Sequence, residues 1–338
     1  MKFRILTRLA ATCAVLAIMG GTSLAQEVTL KLGHLANEEN IWHKAALKFA
    51  EEVKSRTEGR VAVEVYPNES LGKEIDVING MQLGTADMTI TGESLQNWAP
   101  KAALLALPYA YKSLEHMDKI ASGEIGKQIE AEIVEKAGIR PLTYFARGPR
   151  NLSANREITK PEELKGFKVR VPNVPIFVAA WQSLGANPTP MAFSEVFTSL
   201  QNGTIEGQEN PLALFKSGGF YEVQKVVNKT EHVRSWIYLA ISERSWGKLS
   251  EIDQAALQEA AKATQAYERE LFIADEKALV PDLESRGVKF VDVDQAAFAD
   301  KARDAVINSV PQEIRPLVFL LCMNLLAIFL RRKFERRW

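Results

Sequence analysis

Apolar and polar residues alternate along this chain with two different periods. Val28–Ala36 and Val61–Pro67 alternate residue by residue, which is typical of strands with one face in a core. Between them, Ile41–Arg56 repeats apolar positions at helical spacing. KEIDVINGMQLG predicts a second helix that ends at Gly84, and Ala86–Gly92 predicts a third strand. Strands that alternate with helices in this way predict an α/β fold with a largely parallel sheet.

The pattern begins again after residue 150. Before that point we expect a helix around Leu114–Ala137 and a strand in PLTYFA. After it, Thr159 and Glu162 predict a capping box for a short helix that ends at Gly166. The elements predicted next are the strand FKVRVP, the helix Ile176–Leu184, a turn at ANPTP, the helix Ser194–Gln201, a strand at WIYLAISERSW and the helix Ser250–Ser285. Two α/β units with short crossings between them predict a hinge rather than a flexible linker.

The first 25 residues have the features of a cleaved secretory signal peptide. A basic start is followed by a short apolar run and by the small residues Ser23 and Ala25. Cleavage after Ala25 would remove Cys13 and leave Cys322 as the single cysteine, so no internal disulfide is expected. The fold must then rest on its hydrophobic core.

Charge becomes informative once both ends are set aside. The signal contains three of the 42 basic residues and Arg331–Trp338 contains five, which leaves 34; only one of the 42 acidic residues is lost, which leaves 41. The body is therefore about seven charges negative, which argues against nucleic acid as a partner. An acidic ligand would need locally placed arginines.

The last segment, residues 316–338, is unusual. It contains the apolar run LVFLLCMNLLAIFL followed by RRKFERRW. Fourteen residues are short for a membrane-spanning helix. Three interpretations stay open: a terminal helix packed on the body, a contact with a membrane surface, or a reading-frame error at the end of the gene.

Common motifs for catalysis, metal binding and cofactor binding are absent from the sequence. The chain has no HExxH, GxSxG, GxGxxG or Walker-type loop, and its histidines lack metal-ligand spacing. We therefore expect no cofactor and no metal, and we expect a protein that is not an enzyme. A carbohydrate-active enzyme stays open as an alternative, because glycosidase carboxylates have no simple motif.

Arg170 is the residue of greatest interest. It lies near the carboxyl end of the predicted strand FKVRVP, where open α/β sheets place their ligands. Most strand arginines face water, so the position alone favours a surface residue.

Three long motifs change this picture: GPRNLSANREI, LKGFKVRVPN and PTPMAFSEVFTSLQNGTIEGQENPL (Pro188–Leu212). Together they resemble the solute-binding proteins of tripartite ATP-independent periplasmic (TRAP) transporters, from about Val28 to Arg315. The resemblance implies two α/β lobes that close over an organic acid in a cleft and deliver it to a membrane permease. It places lobe I in residues 26–148 plus 236–275 and lobe II in residues 149–235 plus 276–315.

The same resemblance implies most of the ligand site. Arg170 takes the place of the arginine that pairs with the ligand carboxylate, and a guanidinium fork suits a planar carboxylate. Arg150 matches the second family arginine, with Arg147 as a nearby competitor that the spacing disfavours. Asn210 and Asn173 match polar ligand contacts. Phe193 matches a residue that forms an aromatic wall of the pocket.

Five further positions complete the predicted site. Glu74 and Glu93 match acidic residues that receive ligand hydroxyls, although a cap or surface charge is the competing interpretation. His34 could reach the cleft or belong to the core. Glu209 could bind the ligand or only orient Arg150 or Arg170. For Trp236, packing in the core is the preferred interpretation, and stacking on a ligand is the alternative.

The sequence thus predicts a periplasmic, monomeric solute-binding protein for a sugar acid, with a hexuronate as the first choice. A C4-dicarboxylate, a keto acid or a sialic acid stays open. A sensory ligand-binding subunit is a further alternative, although no kinase or cyclase segment is attached. The departure from the family lies in the apolar tail, which is a candidate membrane contact.

Overall fold

The computed structural model describes residues 28–319 and residue 321. Within that range the strands are β1 (Val28–Gly33), β2 (Val61–Tyr66), β3 (Met88–Thr91), β4 (Ile139–Ala146), β5 (Arg150–Ala154), β6 (Lys168–Val171), β7 (Asn187–Pro190), β8 (Gly207–Pro211), β9 (Val226–Val233), β10 (Trp236–Ser242) and β11 (Lys289–Val291). The α-helices there are α1 (Ile41–Arg56), α2 (Glu74–Leu83), α3 (Leu114–Ala121), α4 (Glu124–Glu132), α5 (Pro175–Ser183), α6 (Val196–Gln201), α7 (Leu212–Ser217), α8 (Glu243–Trp246), α9 (Glu251–Ser285) and α10 (Gln295–Ser309).

Two separate sheets organise the described residues into two lobes. The first sheet has the order β2-β1-β3-β10-β4 and the second has the order β11-β9-β5-β8-β6-β7. β1 is parallel to β2 and β3, but β10 is antiparallel to β3 and β4. β5 is likewise antiparallel to β8 and β9. The two-lobed α/β fold is confirmed. The expectation of a largely parallel sheet is also confirmed, since four of the five strands of the first sheet and five of the six strands of the second share one direction. Only β10 and β5 run against their neighbours, where the chain crosses between sheets.

The two crossings are short. β4 of the first sheet ends at Ala146 and β5 of the second begins at Arg150, while β9 of the second ends at Val233 and β10 of the first begins at Trp236. The long helix α9 lies beside both lobes, since it packs on α1 and β4 of the first and on α7 of the second. Two chain crossings and the packed helix α9 therefore join the lobes on one side of the cleft.

The first two helices of the first lobe begin and end as the sequence predicts. The Asn40 side chain accepts a hydrogen bond from the Trp42 amide at 3.0 Å and so caps α1. α1 buries one apolar stripe, which includes Phe49 and Val53. α2 ends at Gly84, which has a φ of 91° in the left-handed region where glycine is favoured.

The single helix expected over Leu114–Ala137 is interrupted. α3 ends at Ala121, Ser122 bonds back to the Asp118 carbonyl, and α4 begins after Gly123. A Cβ on Gly126 would lie 1.9 Å from the Ala121 carbonyl oxygen, so the close approach of α4 to the end of α3 needs a glycine there.

The turn expected at ANPTP is a strand. β7 pairs in parallel with β6, with Val169 opposite Pro188 and Val171 opposite Pro190. β7 is the outermost strand of its sheet, and a proline is tolerated on an edge because its missing amide would face away from the neighbouring strand. Two prolines in four residues concealed the strand from sequence reasoning.

Two smaller predictions also need correction. The cap before the short helix at residue 161 uses Glu163 rather than Glu162, since the Glu163 carboxylate accepts from the Thr159 amide at 2.6 Å and from the Lys160 amide at 3.2 Å. The strand predicted at WIYLAISERSW ends at Ser242, whose side chain accepts from the Ser245 amide and so starts α8.

The predicted signal peptide lies outside the described residues, and so does most of the apolar tail. Only residues 316–319 and 321 of that tail are described, and Val318 and Leu321 are buried against the core. No helix among the described residues is long and apolar enough to cross a membrane.

Candidate ligand-binding site

A cavity of about 160 Å³ lies between the two lobes. The first lobe contributes to its wall from α2 and from the end of β3, and the second lobe contributes from the ends of β5, β6 and β8. Seven of the ten predicted site residues line it: Arg170, Arg150, Asn210, Glu93, Glu74, Phe193 and Asn173. Open α/β sheets bind ligands at the carboxyl ends of their strands, and β3, β6 and β8 present those ends here.

Arg170 is buried on β6, with 3% of its surface exposed. Its Nε and Nη2 atoms both donate to the Met191 carbonyl oxygen, at 3.0 and 2.6 Å. No carboxylate of the described residues lies within ion-pairing distance of this guanidinium, and its Nη1 atom has no hydrogen-bond partner among them. Burial lowers the pKa of Arg170 to about 10. A buried cation without a counter-ion is costly, so this geometry favours an anion in the cavity.

Arg150, in contrast, is fully engaged by protein carboxylates. Its Nη2 atom donates to Glu209 Oε1 and to the Glu209 carbonyl oxygen, both at 2.7 Å, and its Nη1 atom lies 3.3 Å from Glu93 Oε1. Its guanidinium also lies 5.2 Å from the centre of the Phe177 ring. Burial acts to lower the pKa of Arg150, but Glu209 and Glu93 outweigh it and the pKa is raised. The protein therefore already neutralises this arginine.

Glu209 lies behind Arg150 and does not line the cavity. It is fully buried, and its Oε2 atom also lies 2.8 Å from His232 Nε2. Burial opposes its ionisation, but Arg150 and then His232 bring the pKa of Glu209 down to about 2. Of its two predicted roles, the geometry supports the orientation of Arg150.

Glu209 and Thr230 together favour one tautomer of His232. The Thr230 hydroxyl oxygen accepts from the Leu152 amide at 3.1 Å and lies 2.9 Å from His232 Nδ1. The Thr230 hydroxyl proton is then free to be donated to Nδ1, which leaves the proton of a neutral imidazole on Nε2, facing Glu209. His232 was not among the predicted site residues. The available signal was its place two residues after Thr230 on one face of β9.

Glu93 joins the two arginines that the sequence treated as competitors. Arg147 Nη2 contacts Glu93 Oε2, while Arg150 Nη1 contacts Glu93 Oε1. Arg147 also donates from Nε to Ser235 Oγ at 2.7 Å. Arg147 and Arg150 both line the cavity, so the structure places both of them there, whereas the spacing had favoured Arg150 alone.

Glu74 is the first residue of α2 and has no cationic partner within ion-pairing distance among the described residues. Its carboxylate accepts from Thr91 Oγ1 at 2.6 Å and from Ser94 Oγ at 2.9 Å. Burial first, and the charge of Glu93 next, raise the pKa of Glu74. These hydroxyl donors were not predicted, although Ser94 lies within the GESLQ motif.

Asn210, Asn173 and Phe193 complete the predicted wall. Asn210 is buried on β8, where its Nδ2 donates to Gln208 Oε1 at 2.6 Å. Asn173 is exposed at the rim, and its carbonyl oxygen accepts from Asn97 Nδ2 of the first lobe at 2.9 Å. The Phe193 ring packs against Phe220 with 5.3 Å between ring centres and gives the cavity an apolar surface.

His34 and Trp236 lie away from the cavity wall. His34 Nε2 is 3.2 Å from His43 Nδ1, and burial, then His43, lower the pKa of His34 to about 3. Trp236 is fully buried and packs edge-on against Tyr111, with 5.6 Å between ring centres. The geometry supports packing roles for both, and their predicted ligand contacts have no support in it.

The lobes also touch at the mouth of the cleft. Lys73 Nζ of the first lobe lies 2.6 Å from Glu195 Oε1 of the second. Nearby, Glu69 Oε2 accepts from the Ser194 amide at 3.1 Å. The structure is thus a closed arrangement, in which both lobes cover the cavity.

Two α/β lobes that enclose a small cavity with one unpaired arginine define a two-lobed binding protein for an anionic solute. The chain belongs to the bacterial extracellular solute-binding proteins of family 7, the DctP family, whose model matches residues 32–312. Members of this family serve TRAP transporters, as the motifs had indicated.

Three known proteins illustrate the similarity. A TRAP periplasmic solute-binding protein of Roseobacter denitrificans, solved with bound L-galactonate, is 67% identical with a TM-score of 0.86, over 88% of this chain and 99% of that chain. One from Xanthobacter autotrophicus, with bound β-D-galacturonate, is 29% identical with a TM-score of 0.83, over 86% and 98%. The 2,3-diketo-L-gulonate-binding periplasmic protein of Escherichia coli is 33% identical, over 92% of this chain and 96% of its own.

Proposed function

We propose that this chain binds a six-carbon sugar acid with one carboxylate, outside the cytoplasm, and delivers it to a TRAP permease. The observation that carries the proposal is Arg170, a buried arginine of the cavity wall without a protein counter-ion. A carboxylate that accepts from its Nη1 atom would supply the missing charge. Charge-assisted bonds of this kind are among the strongest available to a ligand.

The rest of the wall suits the remainder of a sugar acid. Glu74 offers carboxylate lone pairs beyond the two that accept from Thr91 and Ser94, and hydroxyl groups are the matching donors. Asn210 adds an amide, and Phe193 adds an aromatic surface for the C–H face of a sugar. The three similar proteins described above bind L-galactonate, β-D-galacturonate and 2,3-diketo-L-gulonate, which are all six-carbon monoacids.

The family and the first 25 residues support a cellular setting for this activity. We expect removal of the signal peptide, release of a monomer into the periplasm and docking of its ligand-bound form to the permease. Closure of the two lobes would give the loaded protein a shape that the empty one lacks, and the permease could recognise that shape.

A calorimetric comparison of ligands tests the proposal. Isothermal titration of the mature chain with L-galactonate, D-galacturonate and succinate should give tight binding for at least one sugar acid and weak or no binding for succinate. Succinate lacks hydroxyls, so it would leave the acceptors of the first lobe unpaired. Tighter binding of succinate than of both sugar acids would show that the substrate class is wrong.

A further inference from the structure

Besides the predicted Glu74 and Glu93, the first-lobe wall of the cavity contains the carboxylate of Glu69, which was not among the predicted site residues. Glu69 lies in the loop between β2 and α2 and lines the cavity. Asn68 and Glu69 both have a φ of 55°, in the left-handed region that residues other than glycine seldom occupy. Strained backbone of this kind persists where the surrounding structure holds it, often at ligand sites. The conformation directs the Glu69 side chain toward the other lobe and the cavity.

Only one oxygen of Glu69 is used by the protein. Oε2 accepts from the Ser194 amide of the second lobe, whereas Oε1 is buried without a hydrogen-bond partner among the described residues. Glu74, on the same wall, accepts two hydroxyl protons and has no ion-pair partner in the described part of the chain. Both carboxylates therefore retain acceptor capacity for a ligand.

The charged groups around these two glutamates do not neutralise them. Lys73, which precedes Glu74, is directed to Glu195, and Arg147 and Arg150 are held by Glu93 and Glu209. Among the described residues, the charged side chains of the wall and their direct ion-pair partners comprise four cations and six carboxylates: Lys73, Arg147, Arg150, Arg170, Glu69, Glu74, Asp76, Glu93, Glu195 and Glu209. One ligand carboxylate would neutralise Arg170. A second carboxylate on the same ligand would be repelled by the excess of negative charge on the cavity wall.

We propose that Glu69 and Glu74 form a charge filter, which accepts hydroxyl protons from a sugar monoacid and repels a second carboxylate. The site would then take aldonates and uronates and exclude aldarates, the diacids of the same sugars. This inference rests on the proposed function and narrows its substrate class.

L-galactonate and galactarate provide the test, because they have the same carbon chain and hydroxyl configuration and differ at one end. The sixth carbon is a CH₂OH group in galactonate and a carboxylate in galactarate. Titration of the mature chain at pH 7.5 should show galactarate binding at least about 100-fold more weakly, since a like-charge contact in a desolvated site costs several kcal/mol. Glu74→Gln and Glu69→Gln should each reduce that ratio about tenfold, because the isosteric amide removes one repelling charge.

Glu64→Gln is the matched control. Glu64 is an exposed first-lobe carboxylate on β2 that accepts from the Tyr66 hydroxyl and does not line the cavity, so its loss should leave the ratio unchanged. Galactarate affinity within about threefold of galactonate affinity in the unaltered chain would overturn the charge filter and leave the proposed function intact. An unchanged ratio in both cavity variants would also overturn it. If neither galactonate nor galacturonate binds, the proposed function itself fails and the charge filter with it.

Discussion

Glu93 of the first lobe and Arg150 of the second form a buried ion pair across the cleft, with 3.3 Å between Glu93 Oε1 and Arg150 Nη1. The other oxygen of Glu93 is held by Arg147, at the crossing from β4 to β5. One carboxylate thus ties the hinge side of the cleft to the second lobe. The pairing leaves Arg170 as the cation of the cavity wall that is available for a ligand.

Replacement of Arg170 should separate binding from stability. Arg170→Ala should abolish measurable binding of a sugar acid, because truncation of one partner of a desolvated charge pair costs about 2–5 kcal/mol. Arg170→Lys should also bind poorly, since an ammonium cannot reproduce the planar fork. The ligand-free melting temperature of Arg170→Ala should not fall, because the substitution removes a buried charge that lacks a counter-ion.

Titration calorimetry and thermal melts check both halves of this prediction. Lys168→Ala is the matched control, since Lys168 is exposed on the same strand and its loss should change neither binding nor melting. Binding by Arg170→Ala as tight as that of the unaltered chain would remove Arg170 from the site.

Glu209 should make the stability of the protein fall in acid. Its pKa is about 2 in the folded state against an ordinary value of 4.5, so its stabilising contribution is complete above pH 4.5 and is lost as the pH falls toward 2. The shift corresponds to about 3 kcal/mol of unfolding free energy. Glu209→Gln should be strongly destabilised at pH 7, and its difference from the unaltered chain should narrow steadily as the pH falls below 4.5.

Urea unfolding at pH 7, 4.5 and 3 measures how this difference in the free energy of unfolding narrows. Glu284→Gln, a change at an exposed position of α9, is the control, and it should leave the free energy of unfolding unchanged at each pH. A constant difference between Glu209→Gln and the unaltered chain over the whole range would contradict the assignment of the acid sensitivity to Glu209.

Glu268 should have the opposite pH dependence. It is fully buried on α9, its Oε2 accepts from the Ala146 amide at 3.3 Å, and its Oε1 has no partner among the described residues. Burial raises the pKa of Glu268 to about 8, so the folded state holds a proton that the unfolded chain releases above pH 4.5. The cost to stability is absent below pH 4.5 and grows as the pH rises toward 8.

Glu268→Gln should therefore stabilise the protein at pH 7, by up to about 3 kcal/mol, since the amide is neutral at every pH. The gain should be small at pH 4.5 and largest near pH 8, which chemical unfolding at the three pH values would reveal. A destabilised Glu268→Gln at pH 8 would mean that the carboxylate is ionised in the fold and has a partner.

Ligand binding should close the cleft in a measurable way. Because the contacts Lys73–Glu195 and Glu69–Ser194 join the lobes at the mouth, the loaded protein should scatter with a smaller radius of gyration than the empty protein. Lys73→Glu should raise the dissociation rate about two- to fivefold, a modest effect because the pair is exposed. Lys73→Glu with Glu195→Lys should restore the rate. Identical scattering with and without calorimetrically verified ligand would indicate a rigid pocket.

The sequence predicted the elements whose side chains follow a strong period. The bounds of α1 agree to the residue with the expectation, because one apolar stripe and a capping asparagine both define it. β7 was missed because prolines at positions 188 and 190 conceal a strand that only its neighbour β6 reveals. The interruption after α3 was missed because Gly126 serves a contact between two helices, and periodicity contains no information on such contacts.

For the site, the motifs indicated which residues would be brought together but not how their charges are shared. That Arg147 and Arg150 are both neutralised depends on contacts with Glu93 of the first lobe and, for Arg150, with Glu209 on a neighbouring strand of its own sheet, and sequence spacing does not determine these distances. Glu69 escaped attention because its place in the wall depends on two consecutive residues with positive φ, and neither is a glycine.

The outer edge of β7 has a consequence for the association of one copy of the protein with another. Asn187 and Met191 direct their amides to β6, so the amides of residues 188 and 190 would point outward, and both residues are prolines without an N–H group. A strand from another molecule that approached this edge would find no donors at those two positions. The second sheet therefore resists self-association at this end, which protects a chain that must fold among many copies of itself.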